Sequence, residues 1–257
     1  MMRLHVEQLG SGPDLLLLHG WGMNRAVWSG FAERLAVSYR VSLVDLPGHG
    51  QSPWGGRSAL ADWVDAVLAV APLRAIWCGW SLGGQLALRA ALDAPERVVS
   101  LLGIAATPRF AAAEAWPCAM EPRTLDQFIA NLQRDHRKTL ERFLALQVRG
   151  SEASREQLRL LRSRLAELPD PHPEALQAGL ALLKSVDLRA ELAALEVPNG
   201  WLFGERDTLV PEAAAQGLAE LQPGAAVGVI PGAAHAPFLS HPDATLGLLQ
   251  ALLKAAR

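Results

Sequence analysis

Cysteine is scarce in this chain of 257 residues, with only Cys78 and Cys118 present. Two thiols cannot build a disulfide framework, and they lack metal-ligand spacing. Lysine is almost as scarce. Of 24 basic residues only Lys138, Lys184 and Lys254 are lysines, a bias that genomic base composition explains. Cationic work therefore falls to guanidinium groups, which pair with carboxylate or phosphate in a bidentate way. Excess charge is lacking too: a net charge of −2 argues against general nucleic-acid binding. No stretch approaches the ~20 apolar residues needed to span a bilayer. The segment Met1 to Gly10 has no apolar signal core, because His5, Glu7 and Gln8 interrupt it. These absences lead to the expectation of a soluble, cytoplasmic protein in a reducing compartment.

Half of the residues are hydrophobic, enough to bury the core of one α/β domain with an insertion. Apolar runs alternate with amphipathic stretches, the pattern of a parallel sheet wrapped by helices. Strands are predicted at Leu15–Leu18, Val41–Val44, Ala75–Cys78, Val98–Ile104, Gly200–Phe203 and Ala226–Ile230. Helices are predicted at Ala26–Ala36, Leu60–Val70 and Gln85–Leu92. From Pro108 to about Ser185 the alternation stops, and Thr124–Arg134, Thr139–Val148, Ser154–Leu168 and Glu174–Lys184 carry helical spacing. The expected organisation is a core of residues 1–107 and 186–257, with residues 108–185 inserted as a helical cap over the strand ends.

Ser81 stands in Gly79-Trp80-Ser81-Leu82-Gly83, between a predicted strand and a predicted helix. That context marks a nucleophile elbow: the tight turn exposes the hydroxyl and the following helix points its positive end at the reaction centre. His235, in the loop after the Ala226–Ile230 strand, is the expected general base. Asp207, after the Gly200–Phe203 strand, is the expected acid. It is preferred to Glu205 because a short carboxylate fits beneath the imidazole. His19 and His49 sit in other loops near strand ends, where structural hydrogen bonding is the expectation. The oxyanion donors are expected to be the backbone N–H groups of Leu82 and Trp21. Phe143 is a candidate wall of the acyl pocket, with packing within the cap as the alternative. These residues call for no metal and no organic cofactor.

The pieces His19-Gly20, Asp45-Leu46-Pro47-Gly48-His49-Gly50, the Ser81 elbow, the Asp207 loop and His235 resemble the α/β-hydrolase superfamily across nearly the whole chain. A narrower likeness lies in His19-Gly20-Trp21-Gly22, the elbow, Glu141–Gln147, Val186-Asp187-Leu188-Arg189 and His235-Ala236-Pro237-Phe238. Together these are similar to the pimeloyl-[acyl-carrier protein] methyl ester esterases of biotin synthesis. The resemblance implies a substrate held on the phosphopantetheine arm of acyl carrier protein, and a product freed of its methyl group. It also implies that Arg142, Arg155 and Arg159 receive the carrier, with Lys138 standing where an arginine is expected.

The charge pattern is independent of that likeness. Residues 134–164 hold nine basic and four acidic residues, a net +5, against −7 for the rest of the chain. A basic cap would steer an acidic, phosphate-bearing carrier, whereas a solvated helix face would need no partner. Other readings keep the triad and change the bond, as in a general short-chain carboxylesterase or a carbon–carbon hydrolase. A binding protein without catalysis would retain the fold alone. A dehalogenase would carry Asp at the position of Ser81. A monomer is expected.

Overall fold

The computed structural model describes residues 3–151 and 154–255. The chain enters the fold through β1 (Val6–Leu9) and β2 (Asp14–Leu18). A 3₁₀ turn (Arg25–Trp28) leads into α1 (Ser29–Leu35), so the predicted Ala26–Ala36 helix is a composite. The turn starts where the Asn24 side chain accepts from the Ala26 N–H at 3.0 Å. Next come β3 (Arg40–Val44), α2 (Leu60–Leu68), β4 (Ala75–Trp80), α3 (Leu82–Asp93) and β5 (Val98–Ile104). Four helices follow: α4 (Pro122–Arg134), α5 (His136–Gln147), α6 (Ser154–Leu165) and α7 (Pro173–Ser185). The fold closes with β6 (Asn199–Gly204), α8 (Ala213–Leu221), β7 (Ala226–Ile230), α9 (Pro237–Ser240) and α10 (Pro242–Ala255).

The seven strands form one sheet in the order β1-β3-β2-β4-β5-β6-β7. Only β1 is antiparallel, with Val6 opposite Val44. Sequence reasoning misses this edge strand, because its four residues carry Glu7 and Gln8 at the centre and it leaves much of its surface open. The central strands are different. All six residues of β4 are buried, as are Leu15 to Leu18 of β2, which is why they read as continuous apolar runs.

From β2 the chain crosses to β3 on one side, then returns to β4 on the other. The carboxyl ends of β2 and β4 therefore flank a topological switch point, where an open α/β sheet leaves a crevice. The loop after β2 carries His19–Gly22, and the turn after β4 carries Ser81.

Helices α4 to α7 lie between two neighbouring strands, β5 and β6, with Leu101 paired to Asn199. Proline at the first turn opens α4 and α7, and Asp135 opens α5 by accepting from the Lys138 N–H at 3.0 Å. At the base of this helical segment Asp187 accepts from Arg189 Nε and Nη2, each at 2.8 Å, and from Arg109 Nη1 at 2.6 Å. The Arg189 and Arg109 guanidinium groups hold the Asp187 carboxyl well below the usual carboxylate range. This clasp joins the chain leaving β5 to the chain approaching β6. Trp116 packs there, with the Arg189 guanidinium 5.9 Å from the centre of its ring.

Candidate active site

Ser81 lies at the turn between β4 and α3 with φ 56° and ψ −120°, a conformation that an L residue adopts only when its surroundings impose it. The imposition comes from close backbone approach. A Cβ on Gly79 would stand 2.2 Å from the Gly83 carbonyl oxygen, and one on Gly83 would stand 2.4 Å from the Leu18 carbonyl oxygen. The Ser81 N–H donates to the Ile104 carbonyl at 3.0 Å, tying the turn to β5. Helix α3 starts at the next residue, so its first N–H groups face the serine.

Asp207 and His235 follow adjacent strands, β6 and β7, and meet in a buried contact. Asp207 Oδ2 lies 2.7 Å from His235 Nδ1, and both side chains are inaccessible to solvent. Asp207 Oδ1 accepts from the backbone N–H groups of Leu209 and Val210 at 2.8 and 3.0 Å. With the carboxylate acceptor-only, the Nδ1 proton is donated to it, which leaves the lone pair on Nε2. That Nε2 is buried and has no hydrogen-bond partner among the described residues. Glu205, the alternative acid, is turned away: its Oε2 accepts from the Gly232 N–H at 2.6 Å and so holds the histidine loop from outside.

Trp80 was not among the sequence candidates, yet it links the two halves. Its Nε1 donates to the His235 carbonyl at 2.8 Å, and its ring lies 5.7 Å from the imidazole. The residue before the serine thus fixes the backbone that carries the histidine. The position before the serine in a G-x-S-x-G motif is unrestricted, so the motif gave no signal for it.

The oxyanion candidates lie beside the serine. A Cβ on Gly20 would stand 3.2 Å from Ser81 Cβ, which places the His19–Gly22 loop against the elbow. Neither the Trp21 nor the Leu82 backbone N–H donates to another backbone group among the described residues. The Trp21 side chain is anchored from above, with Nε1 donating to the Leu176 carbonyl of α7 at 2.8 Å. Helix α7 can come so close because Gly179 faces Trp21; a Cβ there would stand 2.6 Å from Trp21 Cδ1. Phe143 of α5 packs edge-on against Trp21 at 4.7 Å, and Phe128 of α4 packs edge-on against Phe143 at 5.7 Å. Phe143 therefore packs α5 against α4 and against the loop that carries Trp21.

Beneath this layer sits a buried polar cluster. His19 accepts from the Leu46 N–H through Nε2 at 3.0 Å and donates from Nδ1 to the Gly20 carbonyl at 2.8 Å, pinning the loop that carries Trp21. His49 donates from Nδ1 to the Pro47 carbonyl at 2.9 Å. Burial lowers the pKa of His19 and pushes that of His49 down to about 3, so both rings stay neutral at pH 7. Asp45, fully buried, accepts from the N–H groups of Arg25 and Gln51 and from Arg25 Nη1.

The four carrier-docking candidates lie elsewhere, on the outer faces of two helices. Lys138 and Arg142 are on α5 and Arg155 and Arg159 on α6, and all four are exposed. None forms an ion pair among the described residues. Glu152, counted in the charge of this region, lies outside the described residues.

Comparison with known proteins agrees with this fold. The model of the alpha/beta hydrolase fold family matches residues 13–242. A pimeloyl-[acyl-carrier protein] methyl ester esterase from Pectobacterium carotovorum is 48% identical over 245 residues, covering 95% of this chain and 96% of that relative. The chain belongs to this esterase family of the α/β-hydrolase fold. A relative of the same name from Stenotrophomonas maltophilia is 46% identical over 252 residues, covering 98% and 97% of the two chains. Among solved structures, an esterase from Exiguobacterium antarcticum superposes with a TM-score of 0.88 over 98% of this chain and 95% of that one. At 22% identity it speaks for the fold alone.

Proposed function

We propose that this protein is a serine carboxylic ester hydrolase that removes the methyl group from pimeloyl-[acyl-carrier protein] methyl ester. The observation that carries this reading is identity of 46–48% to esterases of that name along almost the full length of both chains.

On this reading the residues take the following roles. His235 Nε2, with its lone pair unengaged, takes the Ser81 proton as the oxygen attacks the ester carbonyl. Asp207 keeps the imidazole in that tautomer and stabilises the cation that forms. The N–H groups of Leu82 and Trp21 receive the oxyanion, each supplying about 3 kcal/mol of transition-state stabilisation. Protonated His235 gives its proton to the departing methoxide, so methanol leaves. Water then attacks the acyl-enzyme by the same route, and the free carboxylate is released.

Residues 108–185 serve as the cap. Its exposed arginines, with Lys138, present a positive face to an acidic carrier, while Phe143 and Phe128 border the route to Ser81. On this reading one chain supplies all three triad residues, which suits a monomer acting in the cytoplasm on a soluble carrier; both cysteines are free thiols.

The test is methanol release from pimeloyl-[acyl-carrier protein] methyl ester, with p-nitrophenyl butyrate alongside. Efficient cleavage of the carrier-bound ester is expected. Cleavage of the butyrate alone would overturn the substrate assignment and leave a general short-chain esterase.

A further inference from the structure

Three consecutive residues after β6 hold the loop that carries His235. The Glu205 carboxylate accepts from the Gly232 N–H at 2.6 Å, the Arg206 N–H donates to the Ala233 carbonyl at 2.8 Å, and Asp207 Oδ2 meets His235 Nδ1 at 2.7 Å. These bonds make one unit of the acid and the histidine, but they leave open where that unit stands relative to Ser81. Its position needs ties that run outside it. One is the Trp80 indole, which donates to the His235 carbonyl from the residue before the serine. A second is the Arg206 side chain. It reaches to the turn after α5, where Nη1 donates to the Gly150 carbonyl at 3.2 Å.

That turn is shaped for the contact. Gly150 has φ 95°, in the left-handed region that suits glycine. A Cβ there would stand 3.3 Å from both the Arg206 Cβ and the Arg206 carbonyl oxygen, so the main chain at 150 lies against Arg206 itself. The neighbours of Gly150 are fixed as well. Val148 is buried, and the Ser151 N–H donates to the Val148 carbonyl at 3.2 Å. The buried Ser151 hydroxyl donates to Gln157 Oε1 of α6 at 2.6 Å. The Gly150 carbonyl is therefore a firm point for Arg206 to bear on.

The bond adds little to stability, since the Arg206 side chain is 44% exposed and water competes for it. Its effect is geometric. Reacting groups must be held to within about 0.5 Å of their working positions, and Arg206 is joined covalently to Asp207. We propose that Arg206 is a positioning residue for the reaction: braced on Gly150, it sets how the Asp207–His235 pair is presented to Ser81. The serine is fixed from β4 and β5, and the acid–base pair is braced from the turn after α5. The inference rests on the triad roles proposed above.

The experiment separates placement from stability and from docking. Arg206→Met keeps the apolar stem and removes the donor. Its kcat on p-nitrophenyl butyrate should fall about tenfold with KM unchanged, less than the ~hundredfold that a full 1 Å misplacement can cost. The same kcat ratio is expected on the carrier-bound ester, and the Tm should stay at the wild-type value. Arg206→Lys keeps a donor able to reach the same carbonyl and should restore most of the lost kcat. A wild-type kcat in Arg206→Met would overturn the inference alone. So would a rise in KM confined to the carrier-bound ester, which would make Arg206 a docking cation. A kcat loss in both variants that tracks a lowered Tm would make its role structural and overturn the inference too. Butyrate turnover that survives Ser81→Ala would remove the inference together with the triad it rests on.

Discussion

At the carboxyl ends of β2, β4, β6 and β7 the polar groups that shape the site are held by neighbours. Both oxygens of Asp207 are engaged, both nitrogens of His19 are engaged, and the Trp21 and Trp80 indoles each donate to a backbone carbonyl. On the outer faces of α5 and α6 the opposite holds, and Lys138, Arg142, Arg155 and Arg159 stand exposed to water without ion pairs among the described residues. Bond making needs donors and acceptors fixed in a dry place, because reorganisation and solvent both weaken them. Capture of a charged partner needs the reverse: unspent charge whose field reaches into solution and is screened by salt. On the proposed function, one chain meets both demands by separating them, the first at the sheet and the second on helices α5 and α6.

The contrast can be broken from either side. Ser81→Ala should lower kcat by about a million-fold on carrier-bound ester and on p-nitrophenyl butyrate alike, since it removes the nucleophile itself. Single-turnover kinetics would check this, and a burst of alcohol from the variant would contradict it. Asp207→Asn should cost about ten-thousandfold on both substrates, because the amide favours the wrong imidazole tautomer. Reversal of Arg142, Arg155 and Arg159 to Glu should act on one substrate only. It should raise KM for the carrier-bound ester by roughly ten- to a hundredfold while the small ester is turned over as before, as expected when rim charges are inverted.

How much of this was legible in the chain follows the same division. Strands β2 and β4 were readable because two-sided burial demands uninterrupted apolar runs, and the elbow was readable because only glycine fits at 79 and 83. That Asp207 and His235 meet was readable from their places after β6 and β7. Three things were not. Strand β1 is held by pairing to β3 rather than by its own pattern. Trp80 acts through its indole N–H on the His235 backbone, 155 residues away in sequence. Gly179 matters only because α7 descends onto Trp21, a contact that no local pattern encodes.

Two smaller effects sharpen the comparison on the side of stability. His49 is held neutral by burial, with a pKa of about 3 in the folded state, whereas the unfolded chain binds a proton near pH 6.5. Between these values the unfolded state holds more protons, so stability rises with pH and falls on acidification. At pH 5 this one group should cost about 2 kcal/mol. Thermal melts from pH 7 to 5 should therefore show a falling Tm in the wild type and a shallower fall in His49→Asn. Asp187 acts in the same sense in a lower pH window, since its lowered pKa contributes stability above the ordinary carboxylate range that is lost as pH falls through it. Asp187→Asn should destabilise by about 1 kcal/mol, seen as a lower Tm at pH 7, because the clasp at the base of the helical segment is partly open to solvent.

The separation of chemistry from capture is tested most directly by salt. The measurement is kcat/KM for carrier-bound ester and for p-nitrophenyl butyrate from low to high ionic strength, in the wild type and in the Arg142, Arg155 and Arg159 reversal. The account predicts a steep fall with salt for the carrier-bound ester in the wild type, its loss in the variant, and a flat response to the butyrate in both. A carrier-bound reaction indifferent to salt, or a butyrate reaction that falls in parallel with it, would contradict it.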